Sequence, residues 1–161
     1  GKKEEAHKIA LLHAKSWKSA YRGIMSDDYL NYEVVEERLY YWHYRFAKTN
    51  ADEFIFVAEN ADLFQGFICV RGNDDPVWGC LIDNLHVLPE MKGNGIGKKL
   101  FEAGVEWIKS RYDAAHFYLW VYEANNSACG FYDNLGGECV EKVQLQDPDG
   151  RFLPILRYVW R

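Results

Sequence analysis

Residues 92–97 read Lys-Gly-Asn-Gly-Ile-Gly and directly follow the apolar stretch Leu85-His86-Val87-Leu88-Pro89. Glycine lets the main chain take positive φ and come close to a ligand. A helical pattern begins at Gly95, so unpaired N–H groups converge at a helix N-terminus, where the partial charge is positive. The chemistry this spacing suits is holding a phosphate-bearing ligand at the end of a strand. Two familiar phosphate motifs fail here. A Walker A loop needs G-x-x-x-x-G-K-[ST], but Gly93 to Gly97 is one residue too short and Lys99 stands where a hydroxyl would hold Mg²⁺. A dinucleotide fingerprint needs G-x-G-x-x-G after the first strand of a βαβ unit, whereas this loop follows helices and a hairpin. A glycine-rich connection without any ligand is the plain alternative.

The elements that must position this loop follow from periodicity. Ile9, Leu12, His13, Ser16, Trp17 and Ala20 recur at helical spacing, predicting a helix over 4–21 that stops near Gly23. Ser26 before Asp27 and Asp28 predicts a second helix start, with a region broken at some point before Ala47. Residues 54–59 and 63–71 predict a hairpin turning at 60–62, and 73–76 reads as a loop. A strand over 77–88, a helix from Gly95 to Arg111 and a buried strand over 116–122 follow. A short helix capped by Asn125 or Asn126 ends at Gly136-Gly137. The tail reads as a hairpin around residues 147–150, with Pro154 better suited to an edge position. The order predicts a layered α+β fold in a single domain spanning 1–161.

Composition narrows the function classes. A net charge of −5 argues against a nucleic-acid binder and suits a cationic small substrate such as an amine. No apolar run approaches the ~20 residues that cross a bilayer. Four cysteines, at 69, 80, 129 and 139, lack metal or redox spacing and sit among apolar residues. They read as buried free thiols in a reducing compartment, and so as cytoplasmic. The opening Gly1-Lys2-Lys3 lacks Met, which suggests a trimmed start.

Two blocks and an early pattern together carry a resemblance. The strand 81–87, Pro89 and the loop 92–97 resemble the acetyl-coenzyme A signature [Q/R]-x-x-G-x-[G/A] of the GNAT N-acetyltransferase superfamily, with Lys92, Gly95 and Gly97 in its fixed places. Lys92 departs from Gln/Arg, so the backbone role carries over and the side-chain role does not. Asn125-x-x-Ala128-x-x-Phe131-Tyr132, then Leu135-Gly136-Gly137, is similar to the family's N-x-x-A-x-x-F-Y-x-x-x-G-[F/G] stretch. Trp17, Tyr21, Gly23 and Tyr29-Leu30 match an early pattern of small members.

The resemblance implies a mixed, largely antiparallel sheet that splays at the cofactor site between helical layers. Leu85, His86 and Val87 would pair with the pantetheine arm of acetyl-CoA, while Lys92, Gly93, Asn94, Gly95, Ile96, Gly97 and Lys98 would hold its pyrophosphate. Asn125 would contact the cofactor or simply cap its helix. Tyr132 would donate a proton to the departing thiolate, since a phenol with pKa near ~10 keeps its proton at neutral pH. Asp83 would be the base, on the face of Leu85 and Val87 by alternation. His86 would face the other way unless a bulge intervenes, and Glu123 or a water relay stays open. Trp17, Tyr21, Glu33, Glu37, Tyr40 and Trp42 would line an acceptor pocket. No metal is implied. The acceptor is expected to be a small primary amine, with a protein or peptide amine, or a non-catalytic acyl-CoA-binding module, as alternatives. A homodimer through the exposed last strand is also compatible.

Overall fold

A computed structural model describes residues 3–48, 50–61, 63–112 and 116–161, apart from the side chain of Lys3. Gly1, Lys2 and the hairpin residue Asp62 lie outside the described residues. Helix α1 (Ala6–Ala20) buries Ile9, Ala10, Leu12 and His13 on one face. The expected break before Ala47 is a π-helical turn, Tyr29–Glu33, which runs into α2 (Val34–Ala47). Ser26 caps this region through its Oγ, which accepts from the Tyr29 N–H at 3.3 Å.

Six strands follow: β1 (Glu53–Asn60), β2 (Leu63–Asp75), β3 (Gly79–Val87), β4 (Phe117–Tyr122), β5 (Glu138–Gln146) and β6 (Phe152–Trp160). Helix α3 (Ile96–Arg111) joins β3 to β4, and α4 (Asn126–Asn134) joins β4 to β5. The sheet order is β1-β2-β3-β4-β6-β5, antiparallel throughout except between β3 and β4. One face packs on α1 and α2 through Ile9, Leu12, Trp42, Phe67 and Cys69. The opposite face packs on α3 and α4 through Ile68, Val70, Leu100, Ile108 and Tyr132. Helix α3 sits hard on the sheet at Gly104, where an added Cβ would lie 2.8 Å from Ile68 Cδ1.

Three expectations are corrected. Strand β2 runs to Asp75, through the region expected to be a loop, because Asp75 pairs with Gly79 across a tight turn. Cys139 is exposed on the edge strand β5, whereas Cys69 and Cys80 are buried. Pro154 lies on β6, between β4 and β5. Its carbonyl accepts from Glu123 just past the end of β4, so the position that lacks an N–H lies beyond the last β4–β6 pair, Tyr122 with Ile155.

Candidate active site

Strands β3 and β4 are paired at two positions only, Cys80 with Phe117 and Leu81 with Tyr118. From Ile82 to Val87 the edge of β3 that faces β4 has no strand partner among the described residues. Unpaired backbone groups away from solvent are costly, so such a gap calls for a ligand that supplies them. A cavity of about 380 Å³ fills it, running from Gly93–Lys98 past Leu85, His86 and Val87 to Ser16, Ala20 and Tyr21 on α1.

The glycine loop forms one end. Gly93 and Gly95 hold φ of 79° and 75°, values that β-carbons disfavour. Gly95 is the N-cap of α3, and the first main-chain bond inside that helix is Lys99 N–H to the Gly95 carbonyl at 3.1 Å. The N–H groups of residues 93–98 therefore have no main-chain acceptor among the described residues. Lys92 and Lys98 flank them, and both line the cavity. The Asn94 side chain bonds back to the Met91 carbonyl at 3.1 Å, fixing the turn.

A bulge decides the side chains of β3. Val70 pairs with Ile82 and Cys69 with Asn84, so Asp83 is the extra residue. The expected common face of Asp83, Leu85 and Val87 is thereby corrected. Leu85 and Val87 pack toward α3. Asp83 turns to the α2 side of the sheet, where it pairs with Arg45 of α2 and, at 2.9 Å, with Arg71 of β2, and accepts from Asn84 at 2.8 Å. Burial would raise the Asp83 pKa, but the two guanidiniums offset this and leave it below the ordinary value. Its carboxylate is a counter-ion with its lone pairs engaged, and it is poorly suited to be a base. Glu123, the other carboxylate candidate, pairs with Lys142 at 2.7 Å.

His86 does reach the cavity. Its Nδ1 lies 3.1 Å from Ser16 Oγ, and its ring packs 4.3 Å from that of His13. Burial drives the His86 pKa down to about 3, helped by Arg38 and Lys92, so the ring is neutral. His13 is also held well below the usual range, chiefly by burial. Its Nδ1 accepts from Trp42 Nε1 at 2.9 Å, which leaves the proton on Nε2.

Tyr132 closes the opposite wall. Its ring packs against Phe131, Tyr158 and Trp160. Its hydroxyl has no hydrogen-bond partner among the described residues, and burial pushes its pKa up, so it keeps its proton. Asn125 lines the cavity and also caps α4, accepting from Ala128 N–H at 3.2 Å.

The acceptor side differs from expectation. Tyr21 lines the cavity, but Trp42 is fully buried and Tyr40 is 73% exposed. Helical spacing could not separate these outcomes. Sequence reasoning missed Arg45 and Arg71, and nothing in the linear pattern pairs them with residue 83.

A strand-to-helix loop of free amides beside a splayed parallel pair is a family-level pattern. The model of the acetyltransferase (GNAT) family matches residues 17–136 of this chain. The chain belongs to the GNAT acetyltransferase family. A Bacillus subtilis (strain 168) protein described as the uncharacterized N-acetyltransferase YuaI is 29% identical over 152 residues, 90% of this chain and 82% of that one. The PaiA N-acetyltransferase of Thermoplasma acidophilum, solved in complex with coenzyme A, superposes with a TM-score of 0.73 at 20% identity, over 96% of this chain and 94% of that one. A GCN5-related N-acetyltransferase from Rhodopseudomonas palustris gives 0.76 at 17% identity, over 97% and 89%. The protein is thus a GNAT-type acyltransferase, and its mixed six-stranded sheet is the GNAT fold.

The residues present fit the GNAT co-substrate. Free amides at 93–98, flanked by Lys92 and Lys98, suit a diphosphate, and the open edge of β3 suits an amide-bearing arm. No described helix is long and apolar enough to cross a membrane.

Proposed function

We propose that this GNAT enzyme moves an acetyl group from acetyl-CoA to the primary amine of a small molecule, with residues 1–161 acting as one catalytic domain. The observation that carries the reading is the β3–β4 gap, with unpaired amides at one end and the free Tyr132 hydroxyl in its wall. Residues 93–98 hold the diphosphate, with Lys92 and Lys98 adding charge. Leu85, His86 and Val87 align the arm through main-chain groups, and an N–H near His86 or Val87 polarises the thioester carbonyl. Bound acetyl-CoA supplies the activated acyl group. Tyr132 gives its proton to the departing sulfur. With Asp83 and Glu123 both ion-paired, the amine proton leaves along the Ser16–His86 pair toward water.

The small-molecule reading rests on closure of the acceptor side. Arg151 donates to the Ile24 carbonyl at 2.7 Å, and Ser26 N–H donates to Asp149 at 2.8 Å. These bonds strap the β5–β6 turn onto the segment after α1, which disfavours a through-running peptide. Four unpaired cysteines accord with the cytoplasm, and the unpaired edge of β5 is where two copies would join. Thiol release from acetyl-CoA with a panel of amines tests the activity. Coenzyme A binding without release across the panel would reduce the protein to a binding module.

A further inference from the structure

Tyr21 ends helix α1, and its N–H donates to the Trp17 carbonyl at 2.9 Å. Its ring stands edge-on between those of Trp17 and Tyr122, with centroids 5.2 and 5.0 Å away. Tyr122 is the last residue of β4, so Tyr21 bridges α1 to β4 at the end of the cavity remote from the glycine loop. The ring is thus held, while the hydroxyl makes no side-chain hydrogen bond among the described residues. The side-chain atoms that are both sealed and without a hydrogen-bond partner belong to His13, Trp17, Arg71, Asp147 and Arg157. The Tyr21 hydroxyl has no partner but is not sealed, so it opens on the cavity that its residue lines. Burial and the charge of Asp147 push its pKa up against the pull of Arg38, and it stays a neutral phenol with free lone pairs.

The neighbouring wall residues say what that oxygen can meet. Ser16 and Ala20, one helical turn apart on α1, line the cavity with small side chains that leave room beside Tyr21. The Ser16 hydroxyl donates to His86 Nδ1, 3.1 Å away, and so keeps its own oxygen free to accept. Tyr132 lines the same cavity and lies near enough that a charge on Tyr21 would raise its pKa. A neutral primary amine carries one lone pair and two N–H groups. When the lone pair faces the acyl carbon, two hydrogens remain, and this end of the cavity offers both the Ser16 and the Tyr21 oxygen to receive them.

We propose that Tyr21 orients the attacking nitrogen, its hydroxyl oxygen accepting one N–H of the acceptor while Ser16 accepts the other, so that the enzyme selects primary over secondary amines. The inference deepens the acetyl-transfer reading and rests on it for the thioester end. As the C–N bond forms, the nitrogen gains positive charge and both hydrogen bonds strengthen. The proton on the Ser16 side leaves through His86 to water, and the one on the Tyr21 side stays on the amide nitrogen. The C–S bond breaks, the sulfur takes the Tyr132 proton, and water restores it. A secondary amine has a single N–H, which it must give up on the Ser16 side, so it brings Tyr21 nothing to hold.

The test compares aminoacetonitrile with N-methylaminoacetonitrile, amines that are neutral at neutral pH, on wild type and Tyr21→Phe. Thiol release from acetyl-CoA gives kcat/KM, and calorimetric titration into the coenzyme A complex gives binding without turnover. Tyr21→Phe should lower kcat/KM for the primary amine roughly tenfold, the scale of one hydrogen bond to a charging nitrogen, and weaken its binding a few-fold. The N-methyl amine should change by less than about twofold on either measure, so the preference for the primary amine shrinks. Because the hydroxyl has no protein partner, the melting point and the coenzyme A dissociation constant should stay put. Equal losses for both amines, or no loss for either, overturn the proposal. So does a variant that melts lower with its selectivity intact, because Tyr21 would then be structural. Tyr21-dependent binding of the primary amine without any thiol release by wild type would sink the acetyl-transfer reading and leave this one standing. Thiol release that ignores Tyr21 does the reverse, and the absence of both binding and release sinks both.

Discussion

Two alanine substitutions on helix α3 should separate the ligand-facing glycine from the packing glycine. At Gly97 an added Cβ would sit 3.6 Å from Phe131 and 3.7 Å from Val87, ordinary contact distances, and Gly97 is not among the positive-φ glycines. Gly97→Ala should therefore fold well, gaining up to about 0.5 kcal/mol of helix propensity, or ~1–2 °C in a chain of this size. Val87, Phe131 and Gly97 all line the cavity, so the methyl narrows its throat beside the free amides. Weakening one or two amide–phosphate bonds at about 1.5 kcal/mol each should loosen coenzyme A roughly 10–100-fold. At Gly104 the Cβ would lie 2.8 Å from Ile68 and 3.2 Å from Val70. Gly104→Ala should cost about 1–2 kcal/mol of overpacking, or ~2–8 °C, with coenzyme A affinity little changed. Calorimetric titration and thermal melts read both quantities. If Gly97→Ala binds coenzyme A as wild type does, the phosphate does not rest on these amides.

Tyr132→Phe should lower kcat on the order of 100-fold while the coenzyme A dissociation constant stays put; unchanged turnover removes Tyr132 from the chemistry. Asp83→Asn strips the counter-charge from Arg45 and Arg71, and because Asp83 is 17% exposed the loss should be about 3 kcal/mol, seen as a melt ~6–10 °C lower. A variant that keeps its melting point but loses the acidic limb of its rate profile would restore Asp83 as the base. His13 and His86 have folded pKa values below the unfolded 6.5, so their contribution is intact above that pH. Stability should then fall by up to ~1.4 kcal/mol per pH unit for each histidine as pH drops from 6.5 toward 3. Urea melts showing a flat stability across that window would contradict their neutral burial.

The parts legible in the sequence are those whose signal is local. Gly95 had to be glycine because a helix entry at φ 75° excludes most side chains, and that need is written at one position. Asn125 announced its helix because a cap bonds three residues ahead. The face of Asp83 was not legible, since one inserted residue in β3 reverses the alternation, and the strand it bulges against is more than ten residues away. The Arg45–Asp83–Arg71 cluster was hidden for the same reason. It depends on which elements become neighbours, and no spacing within the chain encodes that. Trp42 and Tyr40 show the other failure, in which neighbouring aromatics on α2 met opposite fates because the packing partner, α1, decides which side is inward.

The central claim is that the bend at the start of α3 holds the diphosphate of acetyl-CoA, and a crystal structure of the protein with coenzyme A tests it most directly. The account predicts phosphate oxygens within hydrogen-bond reach of the main-chain N–H groups of residues 93–98, and the pantetheine arm running along Leu85 to Val87. Coenzyme A bound elsewhere, or lying in the β3–β4 gap with its phosphates turned away from those amides, would contradict it.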